Sequence, residues 1–366
     1  MKELEREILI IGAGPAGLSA AIEAAKAGAK VIVADEHDTI GGQLYKQIHK
    51  FFGAADNHAG MRGFEIARKL EQEAKGLGVE FWLSTVAYGI FKEGVGIVRD
   101  GDNFIVKAKK VIVAAGGIEN TTAFPGSTLP GVMLAGAAQT MANIHRVLPG
   151  KRMVVVGSGN VGLIVAYQML QAGAEVLAVV ERDDHIGGYG VHAEKIRTAG
   201  VPILTDTVIK CASGKTSVEG VTTVKLDGNG AEIAGSEQEY TADTVIMAVG
   251  MAPLTELLWN IGCRFEFIGE LGGYVPLHNE FMQTSVDGIY AAGDITGVEE
   301  ASVAMEEGSI AGIAAASACG HISAEECSAR CASHIDALAV LESGEYDGAR
   351  SAARAKKLEL YKASEK

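Results

Sequence analysis

Two stretches of the chain carry the same succession of apolar runs and glycine-rich breaks. The first is "EILIIGAGPAGLSAAIEAAKAGAKVIVADE" and the second is "RMVVVGSGNVGLIVAYQMLQAGAEVLAVVER". Each reads as a buried strand, a glycine turn, a helix with an apolar face, a glycine at the helix end and a second buried strand. The runs "ILII", "VIVAD", "MVVVG" and "VLAVVE" are continuously apolar rather than alternating. That is the pattern of parallel strands covered on both faces. Gly28 and Gly173 stand where a helix end favours positive φ. The period is too long for a solenoid, so the repeat predicts two related βαβ domains.

Between the copies, "KKVIVAAGGIENTTAFPGSTLPGV" takes a strand into a glycine pair and then into turns at Pro125 and Pro130. A crossover is expected near Gly117 to Pro125 and a return near Gly250, where "DTVIMAVGMAPLTELL" repeats the strand-to-glycine arrangement. The stretch "KLDGNGAEIAG" predicts a hairpin tip. "TSVDGIYAAGDITGVEEASVAMEEGSIAGIAAASA" predicts a short strand, a Gly-Asp turn and an apolar helix. The Ala-, Glu- and Lys-rich tail reads as helical with fraying last turns. The expected organisation is α/β. Two Rossmann-like, three-layer domains are predicted, the second inserted in the first, with a C-terminal helical tail. Residues 1–120 and 251–320 form the first domain, 121–250 the second and 321–366 the helical extension.

Composition narrows the class. With 366 residues there is material for real cores, and the 47 glycines suit close-packed α/β layers. A net charge of −14 disfavours a nucleic-acid partner and an anionic membrane surface. No apolar run reaches the roughly 20 residues needed to span a bilayer, and the charged start lacks a signal core. The cysteines Cys211, Cys263, Cys319, Cys327 and Cys331 are odd in number and scattered, which predicts a reducing cytoplasm.

In the first copy Gly12, Gly14 and Gly17 form G-x-G-x-x-G between a strand and a helix. The first glycine permits the tight turn, the second lets backbone approach a pyrophosphate, and the third lets helix and sheet pack closely. The helix N-terminus offers unsatisfied N–H groups to phosphate oxygens. Asp35, with Glu36 beside it, stands where a carboxylate receives a ribose hydroxyl pair. Gly157, Gly159 and Gly162 repeat the logic, with Asn160 at the helix start. Glu181 closes the second strand and favours NAD(H), since a carboxylate repels a 2′-phosphate. NADP(H) is disfavoured, although Arg182 follows. Two nucleotide sites suit a relay between a tightly held flavin and a mobile nicotinamide. Gly293 and Asp294, late in the chain, assign the flavin to the first site. Asp294 can accept from a sugar-alcohol chain, and the helix after it can point its N-terminus at the flavin. A turn acid without a ligand is the plainer reading of Asp294 alone.

The ordered set "GAGPAG…DEHDTIGGQ", "VIVAAGG", "GSGNVG…VVER", "VIMAVG" and "GIYAAGD" resembles the two-dinucleotide-binding-domain flavoproteins, the pyridine nucleotide-disulfide oxidoreductase superfamily, over roughly residues 5–320. "FPGSTLPGVMLAGAAQTM" and "IGGYGVHAEKIRTAGVPIL" are similar to the nucleotide-binding subunits of heteromeric sarcosine oxidase, proline and opine dehydrogenase and hydrogen cyanide synthase types. The resemblance implies FAD against Gly12, Gly14, Pro15, Ala16, Gly17, Asp35, Glu36, Gly42, Gln43, Val86, Ala115, Gly116, Gly293 and Asp294. It implies NAD against Gly157, Gly159, Asn160, Val161, Gly162, Glu181 and Gly250. It also implies an oligomer with a protein partner, either a substrate-oxidising flavoprotein subunit or a small iron–sulfur protein, in an amino-acid or amine dehydrogenase complex.

One departure stands out. Where many superfamily members place a redox dithiol, this chain has "IGGQLYKQIHKFFG", without cysteine. No cysteine precedes Cys211, and "CSARC" lies far along the chain, so an internal thiol relay is not expected. No metal-ligand spacing is visible. Lys46 and His49 are candidate catalytic groups, for charge stabilisation and proton transfer, against a plainer reading of His49 and His58 as loop histidines. Phe51 and Phe52 are candidate walls for the flavin. Tyr189 and His192 are expected to order their loop or touch NAD. The expected function is hydride transfer between NAD(H) and FAD, with electrons exchanged with a partner subunit. The alternative is a stand-alone NADH oxidoreductase using oxygen, a quinone or another small acceptor.

Overall fold

The computed structural model of the chain describes residues 2–51, 58–341 and 348–364. It divides into two compact units, Met1–Ile118 with Ala252–Lys366, and Glu119–Met251. The helices used below are α1 (Pro15–Lys26), α2 (Gly63–Gly76), α3 (Ala135–Gln139), α4 (Asn160–Gln171), α5 (Gly190–Thr198), α6 (Glu256–Asn260), α7 (Ala301–Ala318), α8 (Ala324–Leu341) and α9 (Gly348–Ser364).

The first unit is built on a seven-stranded sheet. Lys2–Ile11 is central, parallel to Val31–Ala34 on one side and to Asp102–Val113 on the other. Asp102–Val113 then serves two partners along its far edge. Its first half pairs antiparallel with Gly94–Arg99, and its last residues pair in parallel with Ile289–Ala291. The chain thus returns after the second unit to complete the first unit's sheet. The apolar runs read from the sequence are the buried strands: Ile8, Leu9, Ile10 and Val33 have no exposed surface. One sheet face is covered by α1, α2, α7 and α8, whose alanines and leucines join Ile8, Ile10 and Val33 in one cluster. The other face carries Leu9, Ile32 and Val113 against the antiparallel strands and Leu258 of α6.

The second unit repeats the plan on a smaller scale. Five parallel strands run in the order Ile203–Leu204, Glu175–Val180, Arg152–Val156, Thr244–Met247 and Val132–Leu134. Helices α3, α4 and α5 cover one face, and a three-stranded antiparallel sheet covers the other. The expected hairpin tip is a turn in which Asp227 Oδ1 accepts from the Asn229 and Ala231 N–H groups.

Glycine decides how α7 meets α1. A Cβ on Gly308 would lie 2.1 Å from the Ala16 carbonyl oxygen, and one on Gly312 would lie 2.2 Å from that of Ala20. Four residues apart, the two glycines let the helix backbones touch. This contact holds the middle of α7 against the first half of α1.

The tail is helical as expected, and part of it is buried. Helix α9 runs to Ser364, and Lys357 within it is only 2% exposed. The reason is tertiary: its apolar and basic positions recur on one face and are taken up by the rest of the unit. No helix among the described residues is long and apolar enough to cross a membrane.

Candidate functional site

In the first unit the glycine turn is dictated by contact. Gly12 has φ 106°, and a Cβ there would lie 2.2 Å from the Ala114 carbonyl oxygen. A Cβ on Gly17 would lie 1.9 Å from the Gly12 carbonyl oxygen. Gly14 is different. It has φ −75°, which any residue adopts, and a Cβ there would meet no described atom within 4 Å. It is the N-cap of α1 and brings no side chain to the N–H groups of the first turn. Gly14 therefore keeps side-chain atoms away from a helix N-terminus, whose free N–H groups suit a phosphate.

Asp35 follows Val31–Ala34 and is 9% exposed. Its Oδ2 accepts from the Ala13 N–H at 2.6 Å and its Oδ1 from the His37 N–H at 2.8 Å. The acid is thus fixed against the glycine turn. The segment after it folds back: the Gly41 N–H donates to the Ala13 carbonyl at 2.9 Å, and a Cβ on Gly42 would lie 2.8 Å from Gly14 Cα. Gln43 is exposed in the short 3-10 turn Gly42–Lys46. Glu36 is exposed, and Val86, on Thr85–Phe91, is 45% exposed beside the Thr85 N–H that donates to the Asp35 carbonyl. Ala115 and Gly116 follow Ala114, which sits against Gly12.

Gly293 and Asp294 arrive from the far end of the chain. A Cβ on Gly293 would lie 2.8 Å from the Ala16 Cβ, so this turn sits on the start of α1. The buried Glu307 carboxylate of α7 holds it, accepting from the Gly293 N–H at 2.8 Å and from Thr296 Oγ1 at 2.9 Å. Burial pushes the Asp294 carboxyl up to about 7; the Glu299 N–H opposes this, while Glu307 and Glu300 add to it. Lys46 and His49 are half-buried, and the His49 ring stacks on Phe51 at 5.5 Å. Phe52 lies outside the described residues.

In the second unit Gly157 has φ 100° and its Cβ would lie 2.2 Å from the Ala248 carbonyl oxygen, while a Cβ on Gly162 would lie 2.1 Å from that of Gly157. Gly159, the N-cap of α4, again has nothing described within 4 Å of a Cβ. Glu181 Oε2 accepts from the Ser158 N–H and hydroxyl, each at 2.7 Å, and Oε1 from the Asp183 N–H at 3.2 Å. The equivalence with Asp35 and Ala13 is close. It extends to a feature the sequence reading missed: "IGG" at Ile40–Gly42 recurs at Ile186–Gly188. The first glycine of the earlier pair, Gly41, donates its N–H to the Ala13 carbonyl, whereas in the later pair it is the second glycine, Gly188, that donates to the Ser158 carbonyl at 2.9 Å, and Gly187 donates to Ser158 Oγ at 3.2 Å. Asn160 Oδ1 then accepts from the Tyr189 N–H at 2.8 Å, fastening the loop over the start of α4. Val161 is 41% exposed on that first turn, and Gly250, with φ 96°, accepts from the Asn120 N–H. His192 is buried in α5 and its N–H donates to the Tyr189 carbonyl, so these two residues order the loop.

The cysteines are free thiols. Burial pushes Cys263 up, and it pushes Cys331 up to about 12 with Cys327 adding to the effect. Such thiols are poor nucleophiles at neutral pH. Among the described residues no group of three or more His, Cys, Asp or Glu side chains is placed to hold a metal ion.

The family described as pyridine nucleotide-disulphide oxidoreductase matches residues 6–308. An opine oxidase subunit from Rhizobium meliloti is 30% identical over 343 residues, covering 88% of this chain and 65% of that one. This chain thus spans just under two thirds of that relative's length. The alpha subunit of sarcosine oxidase from Corynebacterium sp. (strain P-1) is 26% identical, covering 86% of this chain and 33% of that one. The solved thioredoxin reductase of T. acidophilum superposes with a TM-score of 0.70 at 23% identity, covering 86% of this chain and 98% of that one, which is a likeness of fold.

Proposed function

The chain belongs to the pyridine nucleotide-disulphide oxidoreductase family, and on that premise we propose that it is an FAD-dependent NAD(H) oxidoreductase acting as the nucleotide-handling subunit of an amino-acid or amine dehydrogenase complex. One observation carries the reading. Two glycine turns each face an open N-cap glycine, and each is tied to a strand-end carboxylate through the N–H of its middle residue. Both cradles fit a dinucleotide, because a Cβ at Gly14 or Gly159 would fill the space a pyrophosphate needs.

In this reading Gly12, Gly14, Pro15, Ala16 and Gly17 hold the FAD pyrophosphate, Asp35 and Glu36 its ribose, and Val86 its adenine. Gly42, Gln43, Ala115, Gly116, Gly293 and Asp294 line the remainder. When bound, FAD supplies a ring that exchanges a hydride with a nicotinamide and passes electrons onward. The protein's part is placement and exclusion of water. Asp294, with its carboxyl raised, is suited to donate to or accept from a sugar-alcohol hydroxyl. In the second unit Gly157, Gly159, Asn160, Val161, Gly162 and Gly250 take NAD(H), and Glu181 accepts from the ribose 2′-hydroxyl, favouring NAD(H) over NADP(H). Lys46 and His49 remain proposed auxiliary groups for charge and proton transfer.

The acceptor is proposed to be a protein. No cysteine precedes Cys211, and the later thiols with raised pKa values are unsuited to a relay. The likeness to an opine oxidase subunit supports a partner protein. The same proposal includes a cytoplasmic setting, from the scattered cysteines. The test is NADH turnover by the purified chain, alone and with the partner that co-purifies from the native source. Slow turnover that rises severalfold on adding the partner supports the reading. Rapid turnover by the chain alone with oxygen or a quinone replaces it with a self-sufficient NADH oxidoreductase.

A further inference from the structure

The family match ends at residue 308, yet the tail beyond it places charge inside the first unit. On α9, Arg350, Arg354 and Lys357 recur at i, i+4 and i+7, which is one face of a helix. Ala353 on that face packs with Ile268, Leu271 and Val275. The end of the helix is held as well: Arg264 donates to the Ser364 carbonyl, and its guanidinium lies 5.9 Å from the Tyr361 ring centroid.

Arg354 and Lys357 are 6% and 2% exposed. A buried cation is unfavourable unless its partners replace water. The loop that follows Gly293 supplies such partners to both. Arg354 pairs with Glu299 fork to fork, through its Nε and one terminal nitrogen. Lys357 Nζ donates to the Thr296 carbonyl at 2.7 Å. Thr296 in turn donates its hydroxyl to Glu307, the carboxylate that holds the Gly293 N–H. The chain of contacts runs from α9 through Thr296 and Glu307 to the Gly293 turn, which sits on Ala16 at the start of α1. Facing this network are Asp294, Glu299, Glu300 and Glu307, with the cations Arg350, Arg354 and Lys357 and the buried, neutral His278. The cations oppose the upward push of burial: Arg350 on Asp294, Arg354 and Lys357 on Glu299.

We propose that α9 is a built-in part of the flavin site, and that Lys357, through the Thr296 carbonyl, and Arg350, one turn before Arg354 on the same helix face, are positioning residues that set the 293–300 loop. The inference rests on FAD occupying the first unit. A mobile loop must be ordered before it can hold a ligand, and a preset loop avoids that loss on binding. Removing one of these cations leaves the carboxylates of the network less opposed, which disfavours negative charge on whatever sits over the turn.

The experiment uses the full-length chain, stripped of flavin and reconstituted with FAD, as wild type, Lys357→Met and Arg350→Gln. Flavin fluorescence gives the FAD dissociation constant, and a redox titration gives the midpoint potential of the bound flavin. Losing a charged hydrogen bond at a buried carbonyl predicts FAD binding weakened about tenfold in Lys357→Met. Arg350→Gln, at a half-buried position, weakens it about threefold. Both variants shift the potential to more negative values, which a purely structural role would not do. If Lys357→Met fails to fold, Arg350→Gln still decides. Binding within about twofold of wild type, with an unchanged potential, in the variants that fold overturns the inference and leaves the proposed function standing. A wild-type chain that takes up no FAD contradicts the function itself.

Discussion

The two glycine turns are near-copies in backbone but are closed over in different ways. At both, the strand-end acid bonds the middle residue of the turn, and a glycine pair folds back onto that residue's carbonyl. The second turn is then finished locally, by Asn160 and the loop carrying Gly188 and Tyr189. The first is finished by segments nearly the whole chain away: Gly293 on Ala16, Glu307 on Gly293, and Lys357 on Thr296. A cradle closed by distant, buried segments opens only when the core loosens, whereas one closed by a surface loop opens on its own. On the proposed reading this separates a resident cofactor from an exchanging one.

The largest expected effects come from filling the two cradles. Gly14→Val and Gly159→Val add a side chain at φ −75° and −64°, where a Cβ would meet no described atom within 4 Å. Gly14→Val should therefore lower FAD affinity by roughly two orders of magnitude with an unchanged apoprotein melting midpoint. Gly159→Val should keep the flavin and raise the KM for NADH by a similar factor; loss of flavin in both, or in neither, breaks the comparison. Next, Gly308→Ala should cost about 1–3 kcal/mol in urea unfolding, because the helices α1 and α7 must part. Glu181→Gln removes the charge at the second acid and should narrow the preference for NADH over NADPH by about tenfold in kcat/KM.

A further effect is a pH dependence at the first site. Burial raises the Asp294 carboxyl to about 7 in the folded chain from the 3.8 expected when exposed. The folded state therefore holds the proton more tightly. The stabilisation is complete below about pH 4 and is lost as pH rises through about 7. Glu299, raised to about 7 by burial against the pull of Arg354, adds in the same sense. Apoprotein stability should fall across that window, and Asp294→Asn should flatten the fall; an equally steep fall in the variant removes Asp294 as its source.

The α/β architecture was legible because its signals are short-range. The continuous apolar runs became the buried strands, and the glycine spacing reflected contacts within a few residues of each turn, or with the strand beside it. What stayed hidden is long-range. Nothing local marks Glu307 as the holder of Gly293, or Lys357 as a partner of Thr296. The tail reads as a charged, fraying helix because lysine and arginine are mostly exposed. Only the i, i+4, i+7 recurrence of Arg350, Arg354 and Lys357 hinted that one basic face had a partner. The repeated "IGG" was visible in the sequence, but its meaning needed the hydrogen bonds of Gly41 to Ala13 and of Gly188 to Ser158.

The most direct measurement is the visible spectrum of the purified, full-length chain under anaerobic conditions as NADH is added. The account predicts a yellow protein carrying FAD whose visible bands bleach with NADH and respond much less to NADPH. A chain that carries no flavin, or a flavin that keeps its oxidised spectrum under excess of both nucleotides, would contradict it.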